Sequence, residues 1–320
     1  NLLNQNAPTI SGNTITGAPQ TGIQLQSCDN GLTVLKNKVS FNGTSGIYVY
    51  SSTGGTGLPV PRGLIANNFV AGGASATYGI YFYSSTYEDV VYNSVNMTNT
   101  STTASAFYSY AGSSNSVNVQ NNIFANSGGG LAYNVYTPAG IGTSDYNDFY
   151  SPGNYLANWN NVSQFDLASL QAASGKDANS ISWYPNFTSA TDLHTPSPWV
   201  NGLATPLLSL VTDDIDGQAR DASTPDIGAD EFTPTALAPL AGTYTIGGAS
   251  PNYSTMAAAI GDLLLRGVSD TVRMKFRNGV YTLHPILLPV PGVVPSKPLY
   301  FESESGTAAT VTLFYGATVP

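Results

Sequence analysis

Carboxylates and histidines are the side chains that most often carry chemistry. Paired acids on one face perform acid–base work or hold calcium, and a histidine completes many nucleophilic and metal sites. The first half of this 320-residue sequence is poor in both. Residues 1–150 contain the acids Asp29, Glu88, Asp89, Asp145 and Asp148, the bases Lys36, Lys38 and Arg62, and no histidine. Asp29 and Asp89 stand at different offsets within the repeat described below, so they do not form a paired-carboxylate site. His194 and His284 lie far apart, and each reads as a surface or internally satisfied residue. Neither a Gly-Xaa-Ser-Xaa-Gly elbow nor a P-loop spacing occurs. The densest acidic stretch is Asp213-Asp214-Ile215-Asp216-Gly217. Against a calcium-loop template, Asp214, Asp216 and Gly217 match, but Thr212 and Ser223 fail at the first and last ligand positions. Asp213, Asp214 and Asp216 are thus a partial calcium candidate. The competing reading is a tight turn held by Arg220 against Asp230 or Glu231. No catalytic residue and no cofactor is expected.

The second chemistry is aromatic. Ile47-Tyr48-Val49-Tyr50, Ile80-Tyr81-Phe82-Tyr83 and Phe107-Tyr108-Ser109-Tyr110 alternate with period two. If the first and third residues of each point inward, Tyr48, Tyr50, Tyr81, Tyr83, Tyr108 and Tyr110 point outward. A stripe of phenols suits a protein partner or a sugar face. Stacking of the rings on one another would account for it equally.

Such a stripe requires like strands to lie over one another, and the sequence repeats accordingly. The pattern apolar-x-x-Asn-x-apolar recurs around Asn13, Asn37, Asn67, Asn93, Asn122 and Asn147, the last copy carrying Ser144 in place of its first apolar residue. A second motif follows, as Gly22-Ile23-Gln24-Leu25, as the three tyrosine segments, and as Gly130-Leu131-Ala132-Tyr133. Short period-two segments in copies of variable length mean one coil per copy, with parallel strands pairing from rung to rung. The Asn is read as a turn residue stacking into a ladder. From Ser151 the repeat fades. Val162–Ala173 reads as a short helix with Ser163 as its cap and Gly175 past its end.

Composition agrees. Only 9% of residues are charged, and the net charge is −9. This excludes a phosphate-neutralising surface, so nucleic acid is not an expected partner. No apolar run approaches the roughly 18 residues needed to cross a bilayer. A single cysteine, Cys28, excludes an intrachain disulfide. The chain starts without an initiator Met or signal peptide and ends after an apolar run, and reads as a segment of a longer polypeptide.

The stretch Phe165-Asp166-Leu167 through Asn201-Gly202, followed by Asp214-Ile215-Asp216-Gly217-Gln218-Ala219-Arg220 and Pro225-Asp226-Ile227-Gly228-Ala229-Asp230-Glu231-Phe232, resembles the C-terminal end of bacterial secreted right-handed parallel β-helix domains of the pectate-lyase-like superfamily. The similarity is greatest to giant surface proteins exported by the type IX system. The resemblance covers roughly residues 1–233. It implies an all-β solenoid on the bacterial cell surface, extracellular, acting as a structural or adhesin-like module. Residues 234–241 form a Pro/Ala linker, and residues 242–320 resemble the start of a second such domain. There, Met256, Ile260, Leu263 and Leu264 share one helix face, with Ser254 and Gly267 as caps, and the helix would plug an open coil end. Val272, Met274 and Phe276 point inward, leaving Arg273, Lys275 and Arg277 to pair with Glu302 and Glu304. Expected partners are other copies or chains of a surface assembly, or glycans. The alternatives are a carbohydrate-active enzyme with its catalytic rungs elsewhere, and a non-catalytic carbohydrate-binding module.

Overall fold

The computed structural model describes residues 1–56, 59–110, 117–235, 237–282 and 290–314. The chain divides into two compact units, Asn1–Pro234 and Thr235–Pro320.

The first unit is a parallel β-solenoid with three strands per rung. The first sheet stacks Leu2–Leu3, Thr21–Gln26, Ser45–Tyr50, Tyr78–Tyr83, Ser105–Tyr110, Leu131–Val135 and Ala157–Trp159. The second runs from Thr9–Ser11 through Thr33–Leu35, Gly63–Ala66, Glu88–Val91 and Val117–Gln120 to Ile141–Asp145. The third runs from Thr14–Ala18 through Lys38–Phe41, Phe69–Gly72, Ser94–Met97 and Ile123–Asn126 to Asp148–Tyr150. Alternation decides what faces in. Ile23, Ile47, Ile80 and Phe107 align in one interior column, and Leu25, Val49 and Phe82 in the next.

The corner between the second and third sheets is built by a dipeptide. Its first residue takes the left-handed backbone conformation, as in Lys36 (φ 56°), Asn67 (51°), Tyr92 (53°), Asn121 (60°) and Tyr146 (56°). Its second residue is the ladder Asn. The column is Asn13, Asn37, Asn68, Asn93, Asn122 and Asn147. Each Oδ1 accepts from the backbone N–H and the side-chain amide of the Asn one rung before, at 2.9–3.1 Å throughout. Each interior amide also donates to carbonyls of its own and the preceding rung, for example Asn68 Nδ2 to Ala66 O and Val34 O. The residue expected in the column was Asn67. It is instead Asn68, because the doublet Asn67-Asn68 supplies both corner residues and either could open the turn.

A second ladder went unrecognised in the sequence. At the corner after the first sheet, the Cys28 N–H donates to Ser52 Oγ, and the Ser52 N–H donates to Ser85 Oγ. The buried Cys28 therefore starts a serine column. The last copy of the second motif is also shifted, by two residues: Phe107 pairs with Tyr133, not Leu131, and Tyr133 lies in the core.

The stack closes through a change of direction. Val162–Gln164 is not helical. It pairs antiparallel with Ala157–Trp159 and ends the parallel sheet. Helix α1 begins at Leu167 and runs to Ser174, capped by Asp166 rather than Ser163 and terminated by Gly175 with φ 67°. Its Leu170 is fully buried against the last rung.

In the second unit, the strand Leu240–Ile246 pairs parallel with Val268–Phe276, which pairs parallel with Leu299–Ser303. Leu240 and Ala241, read as linker, thus belong to the first strand. Helix α2, Met256–Arg266, is capped by Thr255 rather than Ser254 and ends at Gly267 as expected. Met256, Ala259, Leu263 and Leu264 are buried, and Ile260 is half-buried. Val272, Met274 and Phe276 point inward. Arg273 pairs with Glu302 at 3.1 Å and Arg277 with Glu304 at 3.2 Å, each half-exposed pair contributing about 0–1 kcal/mol.

The ladder predicts graded costs. Asn68→Ala removes the acceptor of the Asn37 N–H and amide and takes one donor from each of the Val34 and Ala66 carbonyls, and should cost about 3 kcal/mol. Asn13→Ala, at the exposed end of the same column, should cost under about 1 kcal/mol. Urea unfolding of the two variants measures the difference, and equal costs would deny the ladder its role.

Candidate functional site

Strand register places the six predicted tyrosines in two columns. Tyr48, Tyr81 and Tyr108 are paired rung to rung, as are Tyr50, Tyr83 and Tyr110. Ring centroids are 4.6 Å apart for Tyr48 and Tyr81, 5.0 Å for Tyr81 and Tyr108, 5.4 Å for Tyr50 and Tyr83, and 5.0 Å for Tyr83 and Tyr110. Two further residues join them. Tyr78 lies 4.8 Å from Tyr81 and 4.7 Å from Tyr108, and Tyr136 lies 4.7 Å from Tyr110. Both were missed because they flank the alternating motif rather than sit in it. Gln24 and Gln26 continue the columns on one side, and Asn134 continues the Tyr48 column on the other.

The six are half-buried, each shielded by its neighbours. Burial, and then the repulsion of neighbouring phenolates, holds Tyr48, Tyr81 and Tyr108 above the ordinary tyrosine range. Burial alone does so for Tyr78. At neutral pH Tyr48, Tyr78, Tyr81 and Tyr108 are therefore uncharged. Because Tyr48 stacks on Tyr81 and Tyr83 on Tyr110, these pairs spend ring faces on each other and present edges and hydroxyls outward.

The rung carboxylates are placed where acid–base chemistry is poorly served. Glu88 faces the interior, directly over Gly63, where a Cβ would stand 1.6 Å from its Oε2. Burial pushes its carboxyl well above the usual range, although the Arg62 guanidinium pulls the other way. Asp89 is bound by Arg62 at 2.7 Å and by Asn118 at 2.7 Å. Asp148 is fully buried and accepts from the Trp183 N–H, and its burial likewise raises its pKa. Asp29 accepts from the Thr53 N–H, and Asp145 from Asn179.

The acidic stretch belongs to a strap. Residues 187–232 double back along the outside of the coil, burying Val200, Ala204, Val211 and Ile227 against Ala66, Val91, Tyr92 and Ile123. The left-handed corner residues grip it. Lys36 pairs with Asp213 at 2.6 Å, Asn67 donates to Asp213 O, Tyr92 donates to Thr205 O, and Asn121 exchanges two bonds with Thr205. Arg220, its side chain fully buried, stacks 4.3 Å from the Tyr92 ring. It donates to Asn67 Oδ1, Gly228 O and Glu231 Oε2. The three calcium candidates are occupied separately. Asp213 holds Lys36, Asp214 accepts the N–H groups of Asp216, Gln218 and Glu231, and Asp216 holds Lys38 and His194. His194 is satisfied, as expected, but it is not isolated: Asp192, Asp216 and Asp230 surround it. Folding of the strap brings these residues together from three stretches, which their spacing along the chain conceals. His284 lies outside the described residues.

The geometry defines a β-solenoid with an aromatic face. The family described as right handed beta helix region matches residues 1–168, and the chain belongs to that family. No curated protein and no solved structure matches it. Among the described residues, no helix is long and apolar enough to cross a membrane.

Glu88 gives a signed pH dependence. Its folded-state pKa is raised, so its contribution to stability is present below the unfolded value of about 4.3 and is lost as pH rises through the folded one. Glu88→Gln should therefore gain stability relative to the parent as pH climbs from 4 to 8. Parallel unfolding curves across that range would show that Glu88 carries no such penalty.

Proposed function

We propose that the chain is a non-catalytic, adhesin-like structural module of a secreted bacterial surface or filament protein, and that it makes its contact through the tyrosine lattice. The lattice itself carries the reading. Eight rings form a continuous, partly exposed face on one sheet, and contiguous aromatic surface of this kind marks an interaction site. Edges and hydroxyls pack well on another protein surface, so the favoured partner is another copy or chain of the same assembly. The resemblance of the strap to surface proteins of the type IX system supports an extracellular location. Engagement of Asp29, Asp89, Asp145 and Asp148 in structural contacts favours a passive role over a lyase or hydrolase.

The test is self-association of the 320-residue chain by analytical ultracentrifugation. The parent should associate reversibly, and Tyr81→Ser with Tyr108→Ser should weaken it at least tenfold with the β-sheet spectrum unchanged. Binding on a glycan array that the same variant abolishes would transfer the contact to carbohydrate. Cleavage of an acidic polysaccharide by the parent would overturn the structural reading.

A further inference from the structure

We propose that His194, Asp216 and Asp230 form a binding site for one divalent transition-metal ion of the zinc class, which clamps the strap shut. Their ligand atoms all lie within 4.8 Å of one another, a span that small side-chain movements convert to coordination of a single ion. One imidazole and two carboxylates suit a borderline cation such as Zn2+, and the nitrogen disfavours calcium.

Asp230 points to a ligand independently of the cluster. It is 6% exposed, yet no described residue donates a hydrogen bond to its carboxylate. A largely buried carboxylate with no hydrogen-bond donor is under-solvated, a cost that a bound cation offsets.

The supporting contacts are also in place. Asp192 binds His194 Nδ1, which fixes the ring and turns Nε2 to Asp216 Oδ2 at 2.6 Å. A carboxylate behind a ligating histidine is the arrangement that orients metal-bound imidazoles. Phe69 meets the ring edge-on at 4.8 Å and confines it from the coil side. Metal binding at Nε2 takes the lone pair of that nitrogen, so a proton held there leaves to solvent. Lys38 is bound to Asp216 Oδ1 at 3.1 Å, which leaves Oδ2 for the ion.

The three ligands come from strap positions far apart in sequence, so the ion would tie the stretches around His194, Asp216 and Asp230 into one knot. The experiment is a Zn2+ titration at pH 7.5 of chain stripped with chelator, with His284→Gln as the background so that His194 is the sole histidine. One equivalent should bind with a dissociation constant below 10 μM, shift the His194 Nε2 resonance, raise the melting midpoint and be unaffected by millimolar Ca2+. His194→Gln and Asp230→Asn should each weaken binding at least tenfold, and Asp270→Asn should not. Absence of saturable uptake below 100 μM, or an unmoved Nε2 resonance, overturns the proposal even if the variants misfold. Unchanged affinity in both folded variants overturns it as well.

Discussion

The bond between one asparagine amide and the next, repeated along a buried column, is the constraint on which the first unit depends. The corner between the second and third sheets leaves a backbone N–H with no strand partner at every rung. The following Asn supplies the acceptor, and its own amide ties down carbonyls on two rungs. A displaced rung would strand several buried polar groups at once, each costing about 1–3 kcal/mol. Register is fixed at this corner, and the apolar columns then follow from alternation. The serine column at the next corner does the same work with a hydroxyl.

The ladder has an outer counterpart. The residue before each ladder Asn is left-handed, a conformation that costs a residue such as Tyr92 about 1 kcal/mol or more. That geometry throws its side chain outward, where Lys36, Asn67, Tyr92 and Asn121 hold the strap. Arg220 completes the grip, with its charge met by Glu231, four backbone or amide oxygens and an aromatic ring. Strain at the corner and attachment of the strap thus share one cause. The motif that ends the unit is a lateral brace as well as a terminus.

The solenoid was legible in the sequence because its strands repeat what they bury. The tyrosine columns, the inward Ile and Val columns and the Arg–Glu pairs of the second unit all follow from period two and copy number. The errors fall where two local solutions are equivalent. Asn67-Asn68 offers the same side chain to two roles, and only the packing of the neighbouring rung chooses between them. Asp166 and Ser163 can each cap a helix, and the hairpin at Val162–Gln164 selects the later one. The last copy was aligned two residues early because it replaces the Gly-Ile landmark with Ala132-Tyr133. The site around His194 had no local signature at all, since folding of the strap assembles it from separated stretches.

Register also explains why so little ionisable chemistry is found on the coil. A residue type repeated at one position recurs about every 4.8 Å along the stack, where like charges would repel without relief. Charge survives where an opposite charge meets it across rungs, as for Arg62 and Asp89 or Arg273 and Glu302, or where the strap supplies one, as for Lys36 and Lys38. Elsewhere the outward positions need a residue that tolerates its own kind as a neighbour. Tyrosine does: its rings attract one another, its hydroxyl stays wet, and proximity makes it harder to ionise rather than destabilising it at neutral pH. The low charged content of 9% and the aromatic face are therefore two outcomes of one stacking rule. A coil built this way meets its surroundings through repeated neutral contacts spread along its length. Concentrated charge chemistry is left to the strap, whose residues are free of the rung repeat.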